Sequence, residues 1–419
     1  MHSLPNGATL VFAPMPHMTS VSVGFWTAVG GRHETAAENG VSHFIEHMLF
    51  KGTRRRSARE ISEAVEGVGG YLNAFTSEEH TCYYARAPRS RFELLMEVLG
   101  DMWANSVFAP EEFEKEREVI REEIAMYLDQ PQQHVQELLN AALWPEHPLG
   151  RPLTGSLASL DRLTRETLVG FYRRHYTAGN LIISIAGNVG EQRARRAAAA
   201  LTRRLPVGSP ATFEPAPTDA RGPEVRLFTR RTEQTQFALG VRTCARSDPR
   251  RYELRLLNAL LGENMSSRLF LSLREERGLA YSVGSSVSFF ADAGDLVVSV
   301  GLETGNVAAA LRLVMAELRR LREEPPGVEE FERARDYLLG QIDLGLESTG
   351  NRMNWLGEQI LDQGRLIPPA RIKRRPRAVR PADVQAAARA FFRPERLTLA
   401  LVSPLKRAAH LKRLLTLDV

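Results

Sequence analysis

Cysteine is nearly absent: the 419 residues contain only Cys82 and Cys244, one in each half. That excludes a disulfide framework and any metal site built on thiolates, and it fits a reducing compartment. Long hydrophobic runs are missing too. No stretch of about 18 apolar residues occurs, so no transmembrane helix is expected. The start, Met1-His2-Ser3-Leu4-Pro5-Asn6-Gly7, lacks the basic region and apolar run of a signal peptide. The expected compartment is the cytoplasm, with no membrane partner. Lysine is scarce as well, occurring only at positions 51, 115, 373, 406 and 412, so the formal charge of +5 is carried by arginine. The densest basic run, Arg371 to Arg380, lies beside Pro368, Pro369 and Pro376 and holds no aromatic residue on which a base could stack. It reads as a solvated loop, and no nucleic-acid partner is expected.

What is present suits a globular protein, with 43% hydrophobic and 25% charged residues. The length suits two domains of roughly 200 residues each. Internal similarity supports that division. Val21-Ser22-Val23-Gly24-Phe25-Trp26 alternates like a strand, and Phe237-Ala238-Leu239-Gly240-Val241-Arg242 does so 216 residues later. A helical pattern from Leu168 to His175 leads into the apolar run Leu181 to Ile185, and Val384 to Phe392 leads in the same way into Leu397 to Val402. Glu111-Glu112-Phe113-Glu114 recurs as Glu329-Glu330-Phe331-Glu332, each opening a long helical pattern. Between the halves, Pro206, Pro210, Pro215, Pro217 and Pro223 mark an extended, semi-rigid connector. The expectation is an α+β protein with a first domain over 1–205, a connector over 206–223 and a homologous second domain over 224–419.

The chemistry concentrates in the first half. Val41 to Phe50 places His43 and His47 four apart in a helical pattern, so both imidazoles leave the same face. Two neutral imidazoles at that spacing can share one Zn²⁺, and a catalytic site needs one more protein ligand and an open position for water. Glu46 lies close to the same face and can reach that water without being a ligand. The order H-x-x-E-H is the inverse of the commoner H-E-x-x-H. A third ligand is sought on the helical stretch Glu116 to Met126. Glu116 and Glu123 stand two turns apart on one face, so one carboxylate can bind the metal while the other holds a histidine from behind. The second half cannot repeat the site, because no histidine lies between His175 and His410, and Gln341 falls where the first half has Glu123.

Five stretches resemble the pitrilysin/insulinase peptidases, most of all their mitochondrial-processing-peptidase and bacterial processing-protease branch. They are Gly40 to Thr53, Asn73 to Glu78, Glu116 to Met126, His147 to Pro152 and Met265 to Phe270. The resemblance implies two homologous α/β-roll domains of the metallohydrolase type and a zinc endopeptidase acting on extended peptides. It makes His43, His47 and Glu123 the ligands of one zinc per chain, Glu46 the general base and Glu116 a supporting carboxylate, with Glu122 the alternative to Glu123. It also implies that Arg274 and Tyr281 stabilise the reacting carbonyl, and that Asn73, Ala74 and Phe75 form an edge strand receiving the peptide. Holding the zinc set and the Arg274/Tyr281 pair in one chain favours a homodimer. The alternative within such a family is a non-catalytic, partner-dependent scaffold subunit.

Overall fold

The computed structural model describes residues 1–219 and 222–417. The alternating segments form two sheets. The first contains β1 (His2–Ser3), β2 (Thr9–Pro14), β3 (Ser20–Thr27), β4 (Tyr71–Thr76), β5 (Thr81–Pro88) and β6 (Leu181–Gly187), in the order β1-β2-β6-β3-β5-β4. The second contains β7 (Glu224–Thr229), β8 (Thr235–Arg242), β9 (Ala280–Phe289), β10 (Gly294–Leu302) and β11 (Leu397–Ser403), in the order β7-β11-β8-β10-β9. Only β2 with β6 and β7 with β11 run parallel. Without β1 the two orders match strand for strand, so the repeat seen in the sequence is a repeat of topology. Every residue of β6 and of β11 is buried, as expected of inner strands covered on both faces.

The compact units do not follow the contiguous boundaries expected from the sequence. One gathers Met1–Ala125, Arg151–Glu214 and Leu344–Ile367; the other gathers Met126–Gly150, Pro215–Asp343 and the chain from Pro368 onward. Positions 220, 221, 418 and 419 of the expected connector and second domain lie outside the described residues. The reason for the exchange is sheet coverage, since an apolar sheet face has to be buried against another element. The helix Pro131–Leu143 belongs to the first half by sequence, yet its Leu139 and Leu143 pack on Ala238, Val297, Ala400 and Val402 of the second sheet. The helix Thr349–Gln363 does the reverse, setting Met353, Leu356 and Ile360 against Val11, Trp26, Ile182 and Ala186 of the first. Each such side chain contributes about 1.5–3 kcal/mol by leaving water. Small residues make the close approach possible: a Cβ on Gly240 would lie 2.7 Å from Leu143, and one on Gly24 would lie 2.3 Å from the Met353 sulfur.

Residues 206–219 form no helix or strand, as an extended connector should, but they are tied down: Ala178 donates to the Pro206 carbonyl at 2.9 Å, and Ala211 donates to Asn180 Oδ1 at 3.1 Å. The basic run is not a loop. It forms the helix Pro369–Ala378, with Pro369 in the first turn, where its missing N–H is no loss, and Pro376 buried in the last. Arg371, Arg374, Arg375 and Arg377 remain exposed. No helix among the described residues is long and apolar enough to cross a membrane.

The seat of the exchanged helix can be tested at two glycines. A Cβ on Gly357 would lie 2.2 Å from the Trp26 ring, whereas one on Gly350 would meet nothing within 4 Å. Trp26 is fully buried, and its indole N–H donates to Ser184 Oγ at 2.8 Å, so the ring cannot easily yield. Gly357→Ala should therefore destabilise the protein by about 1–2 kcal/mol through overpacking. Gly350→Ala should be neutral or slightly stabilising, because alanine is the better helix former. Urea-denaturation midpoints measure both, and equal effects at the two positions would contradict this packing.

Candidate metal centre

The helix Val41–Leu49 buries Val41, Phe44, Ile45, Met48 and Leu49, which leaves His43, Glu46 and His47 together on its half-buried side. Its start is fixed by a carboxylate. Glu34 accepts hydrogen bonds from the backbone N–H of Gly40 and of Ser42, both at 2.8 Å, and from the Asn39 amide at 3.3 Å. Burial outweighs these bonds and pushes the Glu34 carboxyl up to about 7. Gly40 sits at φ 96°, and a Cβ there would lie 2.8 Å from the Thr154 carbonyl oxygen, so glycine is required by both conformation and space. The Phe44 ring stacks on Phe113 at 4.8 Å between centroids, coupling this helix to Pro110–Asp129.

That second helix brings two carboxylates to the histidines. Oε2 of Glu116 lies 3.1 Å from Nδ1 of His47, and its Oε1 lies 2.7 Å from Nζ of Lys51. Burial works to raise the Glu116 carboxyl, but the bonds from His47 and Lys51 prevail and hold it below the ordinary range. An ionised Glu116 accepts from Nδ1–H of His47, which leaves the Nε2 lone pair of His47 free. Two turns further on, Oε2 of Glu123 lies 3.7 Å from Nε2 of His43 and 3.7 Å from Nε2 of His47. Glu122 is exposed and takes no part.

These separations fit a shared ion. Two donors each about 2.1 Å from a tetrahedral Zn²⁺ lie about 3.4 Å apart, whereas a hydrogen bond would draw them to about 2.7–3.2 Å. Burial, helped by the nearby His47, lowers His43 to about 3, so its imidazole is neutral and able to ligate. Among the described residues, His43, His47 and Glu123 are the one group of three or more such side chains close enough to hold a metal, with donor atoms within 4.8 Å of one another.

Glu46 stands beside this group but turns elsewhere. Thr76, the last residue of β4, donates to its Oε2 at 2.6 Å. Burial nevertheless moves the Glu46 carboxyl above the usual carboxylate range. Asn73, Ala74 and Phe75 lie on the same strand, which is the outermost of its sheet. The Asn73 amide donates to the Tyr71 hydroxyl at 2.6 Å, and its carbonyl accepts from the Ala74 N–H at 2.8 Å. Phe75 turns to the covered face, with its ring edge-on to Trp26 at 5.6 Å.

In the second unit, Arg274 lies near the end of the π-helical turn Phe270–Glu275, and Tyr281 follows at the start of β9. The guanidinium lies 5.7 Å from the Tyr281 ring centroid, and Tyr281 is 75% exposed. A tyrosine placed there for packing would be covered. In the second unit the place of the histidine helix is taken by Arg251–Leu261, whose buried Asn258 accepts from Ser285 Oγ at 2.7 Å, and Gln341 is exposed. Glu34, Lys51 and Thr76 carry no role in the sequence analysis. Lys51 follows His47 by one helical turn, and that spacing was its available signal.

Known proteins share both the sequence and the architecture. Residues 10–156 match the family model described as insulinase, peptidase family M16, and residues 162–338 match that of the peptidase M16 inactive domain. A protein of Streptomyces coelicolor named an uncharacterized zinc protease is 40% identical over 96% of this chain and 89% of its own length. One of Bacillus subtilis with the same description is 35% identical over 96% of this chain and 98% of its own. The crystal structure of a protease from Helicobacter pylori has the same fold, with a TM-score of 0.91 at 21% identity over 96% of this chain and 98% of that one. The metal-centre residues all fall within the segment matched by the first family model, and the chain belongs to the insulinase family of peptidases, family M16.

Proposed function

We propose that this chain is a zinc-dependent endopeptidase that hydrolyses extended peptides, with one zinc held by His43, His47 and Glu123. The single observation carrying this is the convergence of two imidazole Nε2 atoms on the same Glu123 oxygen at 3.7 Å each. Relatives named zinc proteases at 35–40% identity over nearly the whole chain support it. Bound zinc supplies acidity to a water molecule and polarises the scissile carbonyl. Glu46 takes the proton of the attacking water and returns it to the leaving amine. Glu116 orients His47, and Lys51 keeps Glu116 ionised. An extended substrate adds to the open edge of β4 through main-chain hydrogen bonds, next to Asn73, Ala74 and Phe75. Arg274 and Tyr281 are assigned to the developing negative charge on the carbonyl oxygen, a role suited to a fixed cation and an exposed phenol. We assign the working form to a homodimer in a reducing compartment such as the cytoplasm, which the two buried free cysteines support.

Metal retention separates the base from the ligands. Glu46→Gln should keep zinc at the wild-type level by elemental analysis and lower peptide turnover by about 10²–10⁴-fold. Turnover at the wild-type rate would refute the assignment of the base. Glu123→Ala should lose zinc on gel filtration while Glu122→Ala keeps it, and the reverse pattern would move the third ligand by one residue. The purified chain should also cleave peptides without a partner protein and sediment as a dimer. A zinc-loaded chain inert toward a peptide library would favour a scaffold subunit.

A further inference from the structure

Glu46 lies on a helix, but one of its two oxygens is committed to a strand. Thr76 Oγ1 donates to Glu46 Oε2 at 2.6 Å, within the range of about 2.5–2.7 Å typical of a hydroxyl bonded to an ionised carboxylate. Oε1 makes no hydrogen bond among the described residues. The alternative acceptor for this hydroxyl, Oγ1 of its cross-strand neighbour Thr81, is much farther away than Glu46, at 3.5 Å. Thr81 in turn donates its own hydrogen to the Val29 carbonyl at 3.0 Å. Thr81 and Val29 are buried, so this end of β4 is anchored while the strand's outer edge stays open.

We propose that Thr76 is a positioning residue for the reaction: its hydroxyl holds one oxygen of Glu46 so that the other is presented to the attacking water. This role rests on the reading of Glu46 as the base. Thr76 directly follows Asn73-Ala74-Phe75 on β4, so the strand assigned to the peptide also aligns the base. A peptide paired with β4 is thereby registered against the catalytic carboxylate by one rigid element, without a loop between them. Holding a reacting group within a narrow range of positions is the kind of contribution whose loss lowers rate more than binding.

The test compares Thr76→Val, which keeps the shape and removes the donor, with Thr76→Ser, which keeps the donor. Kinetics on a fluorogenic peptide, zinc content and thermal midpoint are read for each. Thr76→Val should lower kcat by at least about tenfold with KM changed less than about threefold, at wild-type zinc content and midpoint. Thr76→Ser should restore kcat to within about threefold of wild type. Placed in the Glu46→Gln background, Thr76→Val should give no further loss, because both changes act through one group. Full activity of Thr76→Val beside an inactive Glu46→Gln overturns the positioning role alone. An active Glu46→Gln overturns the base and this role with it. Loss of zinc or of the thermal midpoint in Thr76→Val, an equal deficit in Thr76→Ser, or an additive loss in the double variant also overturns it.

Discussion

Everything at the metal centre depends on two helices being held side by side at a fixed depth. His43 and His47 come from one helix and Glu123 from another, and neither can collect three donors alone. The stacked rings of Phe44 and Phe113 set the spacing, and both are buried. The Glu34 carboxylate and the tight contact of Gly40 with Thr154 fix where the first helix begins. A helix free to start one residue later would turn His43 by about 100° away from Glu123, which follows from 3.6 residues per turn. The apolar contacts supply the stability, while the buried polar cap supplies the register.

Duplication and divergence can be followed strand by strand. The two sheets share an order and a parallel pair, so the scaffold of the site exists twice. Among the described residues, the group able to hold a metal exists once. Where the first unit offers two imidazoles and a carboxylate, the second offers Asn258, already satisfied by Ser285 and Glu263, and the exposed Gln341. An amide is a poor partner for Zn²⁺, and a buried amide with filled hydrogen bonds is poorer still. The second unit keeps instead a turn that exposes Tyr281 beside Arg274. Each half also covers the other's sheet with one helix, so neither half of the sequence supplies a complete two-faced core.

Much of this was legible from side-chain periodicity. The H-x-x-E-H spacing located the histidine helix, the seven-residue interval located Glu116 and Glu123, and the 216-residue offset predicted the repeated topology. Those features are local or self-similar, and a single sequence displays them directly. The helix exchange was not legible, because Leu139 and Leu143 look equally apolar whichever sheet receives them. The helix formed by the basic run was not legible either, although its prolines are placed compatibly with it: Pro368 is the N-cap, Pro369 lies in the first turn and Pro376 in the last. Thr76 and Lys51 lay inside recognised stretches, yet their partners are set by tertiary distance. Sequence spacing cannot state that a threonine at the end of a strand reaches a glutamate thirty positions earlier.

The electrostatics explain why the assembly suits a dication. Glu46, Glu116 and Glu123 surround two imidazoles, and Lys51 contacts Glu116 at 2.7 Å. His43 is held neutral by burial, so it does not offset the carboxylates. The strain shows at Glu46, whose carboxyl is raised first by burial and also by the charge of Glu123. Partly buried like charges are unfavourable unless an opposite charge is placed among them. A proton on His43 would serve poorly, since burial opposes it. A divalent ion held by His43, His47 and Glu123 would neutralise the cluster without protonating any of its members, and among the described residues no protein donor bonds the other oxygen of Glu46.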